Sequence, residues 1–145
     1  MGCDIHLCLE KKYKDRWVMI DNFKGFRDFY SGTYAFREAQ QRNYARFAAL
    51  AGVRGDGPDP VGWPEDASDG AMLMSESYGR DGHSHSWVGL EVAALVFEGT
   101  AGDKPDWMKG EWDSYSRFFG LEIGEADEGY DGPASDYRVL FFFDN

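Results

Sequence analysis

The sequence predicts an α+β domain. It is a small mixed or antiparallel sheet, made of an N-terminal hairpin and a C-terminal strand, with two or three helices packed on one side. Three observations lead there. Cys3, Ile5, Leu7 and Leu9 alternate with Asp4, His6, Cys8 and Glu10, the period-2 pattern of a half-buried strand. The run Arg138-Val139-Leu140-Phe141-Phe142-Phe143 is almost continuously apolar, as in a central strand covered on both faces. Between these ends lie segments with helical spacing.

In order, residues 3–10 form the first strand and Trp17-Val18-Met19-Ile20 the second, joined by a hairpin connection over 11–16. Residues 21–36 read as a loop. Residues 37–50 read as a helix with Ala39, Phe47, Ala48, Leu50 and Ala51 on its apolar stripe and Gly52 as its stop. The stretch 52–69 carries Pro58, Pro60 and Pro64 and reads as loop. The stretch 78–87 reads as a glycine-flexed loop leading into a helix at 89–97. A third helix is expected at 106–119, weakened by Gly110, then an acidic turn at 124–135 and the last strand at 137–143. No repeat or linker divides the chain, so 1–145 is expected to be a single domain.

Composition narrows the function. Fifteen Lys and Arg face 26 Asp and Glu, a net charge of −11. Duplex nucleic acid is therefore not an expected partner, because phosphate neutralisation needs a basic surface. No apolar run approaches the ~20 residues of a membrane span, and Asp4, His6 and Glu10 interrupt any signal peptide. Cys3 and Cys8, five residues apart on one strand, stand too far apart to pair, so both are expected as free thiols. The chain carries 5 Trp, 8 Tyr and 11 Phe, more than one small core easily hides, which predicts a homo-oligomer.

All three histidines fall in Cys3-Asp4-Ile5-His6 and Asp81-Gly82-His83-Ser84-His85-Ser86-Trp87. In an extended chain His83 and His85 point the same way. With Asp4, Asp81 and His6 they would make a mixed His/carboxylate site for zinc, manganese or iron, with Glu65 or Asp66 as general base. The flanking spacing fits neither a binuclear His-x-His-x-Asp-His pattern nor a calcium loop, where Ala67 would remove a ligand. No Gly-Lys-Ser/Thr loop or Gly-x-Ser-x-Gly elbow occurs. The run Gly52-Val53-Arg54-Gly55-Asp56-Gly57 follows a helix, whereas a phosphate cradle precedes one. Arginines and aromatics offer a different chemistry. Arg42, Tyr44, Arg54 and the segment Arg80–Trp87 supply bidentate anion contacts and stacking surfaces.

Four motifs in order carry a resemblance. Met1-Gly2-Cys3-Asp4-Ile5-His6, Arg42-Asn43-Tyr44-x-x-Phe47-x-x-Leu50-Ala51-Gly52-Val53-Arg54, Trp63-Pro64-Glu65-Asp66-Ala67-Ser68 and Asp81-Gly82-His83-Ser84-His85-Ser86-Trp87, with the closing Phe141-Phe142-Phe143-Asp144-Asn145, resemble a family of small bacteriophage and prophage proteins. Val61-Gly62-Trp63-Pro64 stands where that family has Pro-Arg-Gly-Leu-Pro, so no role for that arginine carries over. The resemblance implies phage origin and the cytoplasm of an infected host, and assigns no reaction.

Two functions follow as expectations. One is binding of a small anionic, nucleotide-like ligand by His6, Arg42, Tyr44, Arg54, Arg80, His83, His85 and Trp87, without a cofactor, as in sequestering a host immune signal. The other is a zinc- or manganese-dependent phosphoesterase built on Asp4, His6, His83 and His85. A charge-mimicking surface that blocks a host protein is weaker, because −11 is spread over the whole chain.

Overall fold

The computed structural model describes residues 2–19, 42–100 and 134–145. It is an α+β fold whose sheet is antiparallel throughout. Strands β1 (Asp4–Tyr13), β2 (Arg16–Met19), β3 (Gly82–Gly89) and β4 (Tyr137–Asp144) run in the order β2-β1-β4-β3. Helices α1 (Tyr44–Ala51), α2 (Asp69–Tyr78) and α3 (Leu90–Gly99) complete it. The predicted loop 21–36 and helix 106–119 lie outside the described residues, as do 124–133 of the acidic turn.

The two central strands are those with the strongest apolar signal. β1 and β4 pair from Asp4↔Asp144 to Lys11↔Tyr137. Phe141, Phe142 and Phe143 are all fully buried. The hairpin is tighter than expected. β1 continues to Tyr13, leaving a two-residue turn at Lys14-Asp15 with Lys14 in the left-handed region (φ 58°).

Helices cover both faces of the sheet rather than one. Ile5, Leu7, Leu9, Val139, Phe141 and Phe143 pack against Phe47, Leu50 and Ala51 of α1 and Leu90 and Ala93 of α3. On the opposite face Cys8 and Leu140 meet Ala71 and Met74 of α2, together with Trp63 and Ala67 of the preceding loop. The polar side of β1 is therefore also covered. Glu10 is fully buried there, bonded to the Arg138 guanidinium and to the Ser68 amide. Arg138 also donates to Asp66, at 3.1 Å. Removing one partner of such a buried pair typically costs about 3–5 kcal/mol, because the other charge is stranded. The network fixes Ser68, whose hydroxyl caps α2 by accepting from the Ala71 amide.

The first helix starts later than its apolar stripe suggests. Asn43, extended, accepts from the Arg46 amide at 3.0 Å and so sets the first turn at Tyr44. Residues 42–43 are not helical, and 37–41 lie outside the described residues. Gly52 (φ 66°) ends the helix with its amide on the Ala48 carbonyl. The predicted loop at 78–87 is instead the end of α2, a 3-10 turn at Gly79–Asp81 and most of β3. Among the described residues no helix is long and apolar enough to cross a membrane. Cys3 and Cys8 are free and buried, and burial with the nearby Glu10 charge pushes the Cys8 thiol up to about 12.

Candidate functional site: a cleft opposite an aromatic-histidine cluster

The three histidines lie at the end of the sheet where Asp4, Asp144 and Gly82 are in register. They do not form one group, and the cause is a single extra residue. β3 pairs His83 with Phe143 and Ser86 with Phe141, so Ser84 and His85 together oppose Phe142. This is a β-bulge, with Ser84 in the left-handed region (φ 55°). In a regular strand His83 and His85 would share a face. The bulge instead turns His83 to the α1 face and His85 to the α2 face, correcting the expectation that both point the same way.

On the α2 face, Phe142 is the platform. His85 stacks on it at 5.0 Å and 10°, and His6 packs against it from β1 at 5.0 Å. Tyr78 covers His6 at 4.1 Å, and Trp63 meets His85 edge-on at 5.1 Å. Each imidazole has a polar partner. His6 Nε2 lies 2.8 Å from Asp144 Oδ1, and His85 Nε2 lies 2.8 Å from Ser75 Oγ. Burial, with the His83 charge adding to it, lowers the pKa of His85 and favours the neutral ring. Trp63 is held in turn by its indole N–H on the Phe141 carbonyl. This side is a packed aromatic wall.

On the α1 face the same end of the sheet opens into a cleft of about 520 Å³. One wall is the segment after α1, from Gly52 through Arg54, Asp56 and Asp59 to Pro60; the other is His83, Ser84 and Asn145. His83 is oriented from both nitrogens, Nδ1 to Ser84 Oγ at 2.9 Å and Nε2 to Asn145 Oδ1 at 3.2 Å. Arg54 sits 5.5 Å over the Tyr44 ring and bonds the Cys3 thiol, although burial still leaves that thiol raised. Tyr44 Oη accepts from the Cys3 amide at 3.4 Å. The glycines of the segment allow its close approach to α1. A Cβ on Gly57 would lie 1.8 Å from the Ala48 carbonyl oxygen.

Of the residues singled out in the sequence, Arg54 and His83 line this cleft and Tyr44 supports it. Arg42 does not line it and instead holds Asp4 through two bonds of 2.6 and 3.3 Å that keep the Asp4 carboxyl below its usual range. His6 and His85 belong to the aromatic wall. Arg80 is exposed on the 3-10 turn. Trp87 lies farther along β3, opposite Leu140, with its ring 5.8 Å from the Arg138 guanidinium. Asp4, His6, His83 and His85 are thus divided between the two faces and other partners. No group of three metal-ligating side chains converges among the described residues. Asp66 is bound to Arg138 beside Glu10, at the other end of the sheet from the histidines.

Ser84 enters the cleft as part of the Arg80–Trp87 segment, whereas Asp56, Asp59 and Asn145 in the cleft, and Ser75 and Asp144 as histidine partners, are not singled out by the sequence. The sequence signal for the cleft is the glycine run 52–57, which follows a helix rather than preceding one. It lines the site by packing across the helix end, without using the helix dipole. No family model, curated protein or solved structure matches the chain.

Proposed function

We propose that the protein binds a small anionic, nucleotide-like ligand in the cleft between the 52–60 segment and His83. The observation that carries this reading is that Arg54 and His83, from separate elements, line one opening of about 520 Å³. That is within the ~300–1,000 Å³ typical of small-molecule sites. A guanidinium provides planar, bidentate contacts to a phosphate, and Ser84 and Asn145 add neutral hydrogen-bonding groups on the facing wall. The site needs no reaction to be useful. The resemblance to phage and prophage proteins supports a role in the infected host's cytoplasm, with the protein sequestering a nucleotide immune signal as a homo-oligomer.

Calorimetric titration with adenosine monophosphate tests this. Arg54→Ala should weaken binding about tenfold or more, the scale of one charge-assisted bond of about 1.5–3 kcal/mol. Trp87→Ala should leave it unchanged. Equal affinity in the Arg54 variant would reject the site.

A further inference from the structure

The cleft holds a chemistry that binding alone leaves unused. Three of its lining residues, His83, Ser84 and Asn145, are joined by two hydrogen bonds. Asn145 Oδ1 is an amide carbonyl oxygen and can only accept, so at 3.2 Å it assigns the ring proton to His83 Nε2. Nδ1 is then the unprotonated nitrogen, and at 2.9 Å it accepts from the Ser84 hydroxyl. A hydroxyl donating to an imidazole that a third group orients is the arrangement that activates a serine. Phe143 backs the His83 ring, with centroids 6.3 Å apart and planes 29° from parallel. Ser84 is held in the left-handed region (φ 55°), where glycine would be relaxed and a side chain is strained. A second serine–histidine pair, Ser75 and His85 at 2.8 Å, is set against Phe142 and Trp63 rather than in the cleft.

We propose that Ser84 is a nucleophile, His83 its general base and Asn145 a positioning residue, and that the cleft hydrolyses small esters by acyl transfer. Ser84 Oγ bonds to the acyl carbon, the ester C–O bond breaks, and the Ser84 proton passes to His83 Nδ1 and on to the leaving alkoxide. His83 then takes a proton from water as its oxygen adds to the acyl carbon, and returns it to Ser84 Oγ as the carboxylic acid departs. A neutral carbonyl carbon accepts a serine oxygen without a cation beside it, which matches a set made of a hydroxyl, an imidazole and an amide. The activity requires no anion in the cleft, so it stands or falls apart from the binding reading above.

The experiment treats the full chain with an alkyl fluorophosphonate. Ser84 Oγ bonds to phosphorus, fluoride leaves and His83 takes the proton, giving a stable adduct. Intact mass should show one adduct per chain, and peptide mapping of the wild type should place it on Ser84. Ser84→Gly, which keeps the left-handed backbone, should carry no adduct on this peptide. His83→Gln should label about a hundredfold or more slowly, the scale of general-base catalysis, while Ser75→Ala should label as the wild type does. Asn145→Ala should slow labelling about tenfold, and Asn145→Asp, whose carboxylate still accepts from Nε2, should restore the rate. Complete labelling should abolish p-nitrophenyl acetate hydrolysis. Labelling of Ser84 no faster than in the urea-unfolded chain, an adduct on another residue, or hydrolysis that survives complete labelling would overturn the nucleophile. An unchanged rate in Asn145→Ala would overturn the positioning role.

Discussion

One end of the same sheet presents two unlike surfaces. On the α2 face His6 and His85 are closed in by Tyr78, Trp63 and Phe142, with ring centroids 4.1–5.2 Å apart for the contacts of His6, His85 and Tyr78. On the α1 face His83 borders an open cleft, with polar partners on both ring nitrogens. The two histidines of one His-x-His motif thus serve different ends. Stacking makes His85 part of the packing, whereas His83 borders the opening. The chemistry of a side chain is shared by both, and the bulge at Ser84 decides which environment it enters.

The closed side should be the more costly to disturb. Phe142→Ala removes a fully buried ring on which four aromatic side chains rest, and should destabilise the fold by about 3–5 kcal/mol in urea unfolding. A loss below about 1 kcal/mol would mean the wall closes over the void or does not bear on stability.

On the open side, Gly57→Ala forces a methyl against the Ala48 carbonyl, so the segment must move away from α1. About 1–3 kcal/mol of stability should be lost, the scale of overpacking, and ligand affinity should fall with it. Loss of stability with affinity intact would show that the segment does not shape the site.

Ser84→Gly tests the junction between the two sides. Glycine accepts the left-handed backbone without the ~1–2 kcal/mol that an L side chain incurs there, but it loses the hydroxyl bonded to His83. Stability should rise by no more than about 1 kcal/mol, while the orientation of His83, followed by its ring nitrogen shifts in NMR, should loosen. A fall in stability would mean the hydroxyl bond outweighs the backbone cost.

The smallest effect concerns pH. Burial lowers the pKa of His85 in the fold, so below about pH 6.5 the unfolded chain takes up a proton that the folded one resists. Stability should therefore fall as pH drops through that range. His85→Gln should flatten the slope of melting temperature between about pH 7 and 5. An unchanged slope would place the acid sensitivity elsewhere.

How far the sequence reveals this arrangement differs along the chain. β1 and β4 are legible because burial on at least one face imposes alternation or a continuous apolar run. α3 is legible from its apolar stretch. α2 is not, since only Ala71 on it is fully buried and its first two residues are Asp69 and Gly70. It is held by the Ser68 cap and the Glu10 carboxylate, a contact 58 positions away that no local pattern encodes. β3 is the harder case. Gly82-His83-Ser84-His85-Ser86 has the composition of a loop, and its strand geometry comes from pairing to β4. The site histidines are visible as residues, but their separation depends on the bulge, and the cleft depends on where the 52–60 segment folds back.

The pairing of β1 with β4 sets the pace at which the molecule can mature. His6 meets Asp144 across 138 positions of chain. Closing so long a loop adds little to the equilibrium cost, about 0.6 kcal/mol per doubling of length, but non-local strand pairing slows folding. During synthesis at ~5–20 residues per second, β1 waits roughly 7–28 s for its central neighbour. Through that interval an apolar strand has one edge without its final partner, a natural substrate for chaperones and a hazard at high expression.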